Sequence, residues 1–409
     1  MQNNTEKTKR MKVYIVTKES FPNGMAATNR IKCYARAFHG GGLDCEVVVC
    51  GCTELDPSKI RNTIAQGFYE GVPFRYIGGT TTDTRPKYIR LIAQYLRLLK
   101  TVRYLHTNMK KGDVLFLFMG GKVKRMLRFM EVAKSKGAYC VRDLCELPYG
   151  TGAETREAIR MRKITLEKQF PKLDGIISIS DALLNLAKSY TLPNCKHIKV
   201  PIMVEYEHYY IDKQPQLNGT PYIFHAGTLY QQKDGILGMI EAFGMAKQRL
   251  NSPIKYILTS SIEASSHPKE MRQLIEKYQL EDSLEFVGYL KRDQIKGYLA
   301  NASLVISNRP RSQQDYYGFS TKVGEYLASG TPLLMTNWGE AVNWLENGKS
   351  AFITEPEDTE ALADAIVRVF THPEESRQIG LAGQTVCRKC FNYRNWSQPL
   401  ADFMNQLGE

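Results

Sequence analysis

The sequence predicts an α/β protein of two doubly wound domains, each a parallel sheet wrapped by crossover helices. Short β-branched and aromatic runs alternate with helical stretches along the whole chain, the pattern of strand–helix–strand units. The 409 residues exceed the roughly 250–300 at which a single core stops growing, so two cores are expected. Between Glu205 and Thr220 the run EYEHYYIDKQPQLNGT loses periodicity and contains Pro215 and the Asn218-Gly219 turn pair, the punctuation of an inter-domain connection.

Taken in order, the polar tail 1–10 is expected to be disordered and the first domain to span 11–204. Its first strand is KVYIVT, Lys12 to Thr17, followed by a helix with Ile31, Tyr34, Ala35 and Phe38 at helical spacing, stopped by Gly40, Gly41 and Gly42. Strands follow at CEVVVC, at VLFLF from Val114, AYCVRDL from Ala138, GIISIS from Gly175 and HIKVP from His197. After the connection 205–220, a second domain over 221–390 offers YIFHAG, IKYILT, LEFVG, SLVIS, PLLMT and AFIT as strands. In the tail 391–409, Trp396, Leu400 and Phe403 share one helical face, which predicts a last helix docked on a neighbouring surface.

Bulk properties narrow the class. The opening residues MQNNTEKTKR are polar, and no run approaches the roughly 18 apolar residues of a spanning helix. A cytoplasmic protein is expected, free or peripheral on the inner face of the cell membrane. Nine scattered cysteines, an odd count, point to reduced thiols. Cys50 with Cys52 and Cys387 with Cys390 lack the second pair that a zinc site needs, so no metal is expected.

The net charge of +13 points to an anionic partner. Arg85, Lys87, Arg90, Arg97, Lys100, Arg103, Lys110 and Lys111 occur with no acid between Asp83 and Asp113, interleaved with Tyr88, Leu91, Ile92, Tyr95, Leu98, Leu99 and Val102. That spacing predicts a basic amphipathic helix across 85–111, either attached to an anionic membrane surface or laid over the core with its cations in solvent. Nucleic acid is disfavoured as the partner, because the cations gather on one helix and no nucleic-acid module appears.

In open α/β sheets ligands sit at strand-to-helix turns, where helix N-termini present unpaired N–H groups to anions. The turn after SLVISN leads into a helix from about Ser320 to Gly330. Lys322 falls in its first turn, where a cation opposes the helix dipole, with Glu325 on the same face. A pyrophosphate resting on Tyr317, Gly318, Phe319, Ser320 and Thr321 and on Lys322, with Glu325 accepting from a ribose hydroxyl, resolves that conflict. The alternative is a surface Lys–Glu pair. The turn after YIFHA supplies a second cradle, Gly227, Thr228 and Leu229 followed by Lys233. In the first domain, Pro22, Asn23 and Gly24 stand at a helix N-terminus, and Arg142, Asp143 and Glu146 follow the strand at Ala138, placed either to meet an acceptor or to form a structural ion pair.

Together these residues resemble the retaining GT-B glycosyltransferases of family 4, the glycosyl transferases of group 1. The likeness runs from Lys12 to about Phe403. FPNG at Phe21 to Gly24 resembles the family's glycine loop, and GTLYQQKDG at Gly227 to Gly235 resembles its Gly-Arg-Leu…Lys-Gly run, with Thr228 where arginine is usual. Glu325 to Pro332 matches the second half of its paired-glutamate motif, while Tyr317 stands where the first glutamate is expected and Asp315 is the nearest acid.

The resemblance implies two Rossmann-like domains facing across a cleft, with the C-terminal helix crossing back to the first. It implies metal-independent transfer, with retained configuration, of a sugar from a nucleoside diphosphate to a glycan or lipid-linked glycan. Lys233, Lys322 and the amides near Phe319 to Thr321 would stabilise the leaving diphosphate. Arg142 and Glu146 stand near the place of the family's sugar-side histidine. Rival readings are a sugar-nucleotide epimerase and a non-catalytic nucleotide-sugar or membrane-surface binding protein.

Overall fold

The computed structural model describes residues 10–118, 120, 122–150, 154–210 and 219–409. It is an α/β structure of two Rossmann-like units, one formed by 1–201 with 393–409 and the other by 202–392. The expected tail 1–10 lies outside the described residues except for Arg10.

The first unit is built on eight strands: β1 (Lys12–Thr17), β2 (Asp44–Val49), β3 (Gln66–Tyr69), β4 (Val72–Tyr76), β5 (Val114–Phe118), β6 (Tyr139–Leu144), β7 (Gly175–Ser178) and β8 (Lys196–Lys199). Their order is β3-β4-β2-β1-β5-β6-β7-β8, with every pair parallel except β3 with β4. That edge hairpin is absent from the sequence expectation. Its turn, Glu70-Gly71, takes positive φ at both residues (46° and 84°), the primed-turn geometry, without the Asn-Gly or Asp-Gly pair that advertises one.

Central strands such as VLFLF are buried throughout, as a sheet covered on both faces requires. Helix α1 (Ala26–Gly40) buries Ile31, Tyr34, Ala35 and Phe38. The C-terminal helix Ser397–Asn405 packs against α1 with Leu400, Phe403 and Met404 buried, while Trp396 sits half-buried in the preceding turn. The approach is so close that a Cβ on Gly41 would lie 2.5 Å from the Ser397 carbonyl oxygen. Only glycine fits there.

In helix α2 (Lys87–Asn108) one of the expected outward cations, Arg97, faces inward. The helix buries Ala93, Arg97, Thr101 and Leu105, one residue per turn, and Arg97 pairs with Asp83 at 2.7 Å. Tyr88, Leu91, Ile92, Tyr95 and Leu96 are all more than half exposed. The larger apolar stripe faces solvent, while the inward one holds Ala93, Thr101, Leu105 and an arginine that a buried carboxylate neutralises.

The second unit carries β9 (Tyr222–His225), β10 (Lys255–Thr259), β11 (Leu284–Gly288), β12 (Leu304–Ser307), β13 (Leu333–Thr336) and β14 (Phe352–Thr354), all parallel in the order β11-β10-β9-β12-β13-β14. Its core joins Ile240 and Phe243 of the helix Ile236–Arg249 to Ile223, Tyr256, Leu304 and Leu334 of the sheet. Each such large side chain contributes about 1.5–3 kcal/mol by leaving water. Residues 205–210 fold with the second unit, where Tyr206 and Tyr209 are buried and Glu205 pairs with Arg292. The part of the expected connection at 211–218 lies outside the described residues.

Candidate active site

Strand order in the second unit reverses between β9 and β12, so the crevice beyond their carboxyl ends is where a doubly wound sheet holds a ligand. Two turns meet there. After His225 the chain runs through Ala226–Tyr230 into a helical turn, Gln231–Asp234, ended by Gly235 in the left-handed region (φ 55°). After Ser307 it passes Arg309 and the turn Gln313–Tyr317 into the helix Thr321–Ala328. That helix has no side-chain cap at Ser320 and no acid in its first turn, leaving its N-terminal amides available to an anion.

Lys322 is the link between the turns. Its ammonium lies 2.6 Å from Oδ1 of the buried Asp234, while Glu325 engages the hydroxyl of Tyr209. The surface Lys–Glu pair is thus not what forms. Gly227 is packed against this pair: a Cβ there would meet His225 Nε2 at 2.3 Å and Lys322 Nζ at 2.6 Å. Its N–H is held by Thr259 Oγ1 at 2.8 Å, and Thr228 Oγ1 reaches Asp234 only at 3.5 Å. Lys233 is exposed.

The electrostatics follow from burial. Burial alone would raise Asp234, but Lys322, His225 and Arg309 outweigh it and hold the carboxyl at about 2. Burial, aided by the charge of Lys322, drops His225 to about 4, so the imidazole is neutral at pH 7. Its Nδ1 faces the Ile306 carbonyl at 3.0 Å, and its Nε2, 3.7 Å from Asp234, is buried without a hydrogen-bond partner. Burial also lowers Lys322, against the pull of Asp234.

Arg309 completes the cluster. Its guanidinium donates to the Lys233 carbonyl at 2.6 Å and pairs with Asp315 at 2.8 Å. Tyr326 accepts from the Ala226 N–H at 2.9 Å. Sequence reasoning passed over His225, Asp234, Arg309 and Tyr326, although all lie in or beside the flagged turns; nothing local marks a partner 88 residues away. Of the predicted contacts, Phe319 is buried edge-on against Phe391, Tyr317 stacks edge-on with Tyr316, and Gly318 ends the 313–317 turn. Ser320, Thr321 and Glu325 stay half-buried at the helix start. Asp315 is occupied by Arg309 and Ser312.

In the first unit the predicted residues separate. Gly24 sits tightly over Thr28, whose hydroxyl donates to the Ser20 carbonyl at 2.7 Å. Arg142 is buried inside β6, bonded to Gln169 and laid over the Phe170 ring at 5.5 Å, with burial lowering it to about 10. It is a core arginine, whereas Glu146 is exposed. The neighbouring Asp143 pairs with Arg30 at 3.0 Å and accepts from Tyr34. Among the described residues, no group of three or more His, Cys, Asp or Glu is arranged to hold a metal.

This arrangement lies inside a recognisable segment. Residues 210–386 match the family described as glycosyl transferases group 1. The chain is 24% identical over 216 residues to the putative colanic acid biosynthesis glycosyltransferase WcaL of Salmonella typhimurium, covering 53% of this chain and 52% of that protein. It is 26% identical over 132 residues to mannosylfructose-phosphate synthase of Agrobacterium fabrum, covering 32% and 28%. The matches thus span about half, or less, of these relatives.

Among solved structures, sucrose-phosphate synthase of Thermosynechococcus elongatus superposes with TM-score 0.72 at 16% identity, over 98% of this chain and 99% of that one. Anabaena Alr3699/HepE in complex with UDP-glucose gives 0.68 at 16% identity, over 97% and 100%. The fold is that of the GT-B glycosyltransferases.

Proposed function

We propose that the protein is a retaining glycosyltransferase of family 4 type, moving a sugar from a nucleoside diphosphate to a glycan or lipid-linked glycan in bacterial surface polysaccharide synthesis. The observation that carries this is the meeting of Gly227, Lys322 and Arg309 beside an uncapped helix N-terminus at the switch point of the second unit, inside the matched segment. In the transition state, charge develops on the leaving diphosphate. The amides of Ser320 to Lys322 and the exposed Lys233 meet it directly, while Asp234 holds Lys322 in place. With these cations supplying the counter-charge, the reaction runs without a metal ion. A colanic acid transferase and a UDP-glucose complex among the similar proteins support the pathway class and the donor class.

The protein works in the cytoplasm, on the inner face of the membrane. The outward apolar stripe of α2, with Lys87, Lys100 and Arg103 exposed beside it, has the composition of an anionic-lipid surface helix. Along it a groove of about 690 Å³ is lined by Leu96, Leu99, Lys100 and Arg103.

A screen of uridine, guanosine and adenosine diphosphates and their sugars by thermal shift, followed by a transfer assay with the best ligand, tests the reading. Expected is a rise in melting temperature with one nucleotide class and sugar transfer unaffected by EDTA. No shift with any of them overturns donor binding. A shift with neither transfer nor donor hydrolysis leaves a binding protein in its place.

A further inference from the structure

The first unit has its own switch point, between β1 and β5, and a polar cavity of about 170 Å³ lies beside it. One water needs about 10–15 Å³ on such a measure, so this space admits a small ligand group. It is lined by Lys18 just after β1, by Cys50, Gly51 and Cys52 just after β2, by Gln94 and Leu98 of α2, and by Arg125 and Phe129 of helix α3 (Val123–Ser135).

Two cations thus face one cavity, and among the described residues no acid lines it. Arg125 stands in the first turn of α3, which has no side-chain cap and no acid there, so its charge adds to the positive end of the helix dipole. Burial, then the charge of Arg125, holds Lys18 below its usual range. Glu19, the next residue, does not line the cavity. A Cβ on Gly51 would meet nothing within 4 Å, so the backbone there borders open space.

We propose that this cavity binds a phosphoryl group, with the Lys18 and Arg125 side chains supplying the charge and the Gln94 amide a neutral donor. Two unit cations match the double negative charge of a phosphomonoester, which a carboxylate does not offer. The position, at the carboxyl ends of β1 and β2 in the unit that does not hold the nucleotide, makes the phosphoryl group part of the sugar acceptor. That last step rests on the transferase reading; the binding itself does not.

Calorimetric titration of the full-length protein without nucleotide tests it, using inorganic phosphate, glycerol 3-phosphate, geranyl phosphate and acetate at fixed ionic strength. Wild type is expected to bind phosphate and glycerol 3-phosphate, with acetate at least tenfold weaker. Arg125→Gln and Lys18→Gln should each weaken phosphate at least tenfold while melting no lower than wild type, since each removes a repulsion. Lys233→Ala, in the second unit, should keep the phosphate affinity. Tighter binding of geranyl phosphate than of glycerol 3-phosphate assigns the group to a lipid carrier, and equal binding assigns it to a soluble sugar phosphate. No binding, equal affinity in Arg125→Gln and wild type, or acetate binding as tight as phosphate overturns the proposal, whatever the donor screen gives.

Discussion

Lys322 donates to Asp234 across 2.6 Å, and the carboxylate it meets is only 4% exposed. Breaking one side of such a pair costs more than removing both, because the survivor is left charged and buried. Asp234→Asn is expected to destabilise by about 3 kcal/mol, and the double variant Asp234→Asn with Lys322→Met by less than the sum of the two singles. Denaturant titrations of the four proteins measure the coupling. Additive losses would show that the pair does not hold the two turns together.

His225 gives the protein a pH signature. Its folded value of about 4 lies below the unfolded 6.5, so the unfolded chain binds the proton more readily. Stability from this group is full above pH 6.5 and is lost as pH falls toward 4, by about 3 kcal/mol at one pK unit per 1.36 kcal/mol. In His225→Gln that portion of the acid loss should disappear. Melting curves from pH 7.5 to 4 check it; parallel curves for wild type and variant would refute it.

Gly227→Ala places a methyl 2.3 Å from His225 and 2.6 Å from Lys322. Overpacking of this kind costs about 1–3 kcal/mol, and here it also displaces the ammonium from Asp234. The expected result is a lower melting temperature together with weakened nucleotide binding. Unchanged values for both would mean that the loop moves aside freely.

How far the sequence revealed this follows from the range of each interaction. Central strand runs such as KVYIVT and VLFLF were legible because a strand buried on both faces must be apolar along its length. Gly227 and Lys322 were legible because a turn glycine and a misplaced first-turn cation are local anomalies. The partner of Lys322 was not, since Asp234 lies 88 residues earlier and is brought in by β9 and β12 pairing side by side. The surroundings of Arg142 were not legible for the same reason: strand position said nothing of Gln169 and Phe170, which enclose it. The periodicity of α2 was legible and its direction stayed open between two alternatives, because a helix with Arg97 on its inner stripe needs Asp83 to make that stripe tolerable.

Lys233 and Lys322 separate binding from stability. Lys233 is exposed, so Lys233→Ala should leave the stability within about 0.5 kcal/mol of wild type while weakening nucleoside diphosphate binding about tenfold. Lys322→Ala should lower both. Calorimetric titration with the nucleotide found in the screen distinguishes them, and undiminished affinity in Lys233→Ala would remove that lysine from the site.

The outward face of α2 predicts membrane attachment by charge and apolar contact together. Arg97 is excluded from that surface by Asp83, so the informative charge variant replaces Lys87, Lys100 and Arg103 with glutamate, and the informative apolar one replaces Leu91, Tyr95 and Leu99 with serine. Each cation near an anionic surface contributes about 1 kcal/mol, so the charge variant should lose vesicle affinity by well over a hundredfold at low salt. The serine variant should lose it in high salt as well, where screening has already removed the charge contribution. Co-sedimentation with vesicles containing phosphatidylglycerol, against phosphatidylcholine alone, reads both. Equal partitioning of wild type onto the two vesicle types would make the exposed stripe a site for something other than an anionic lipid surface.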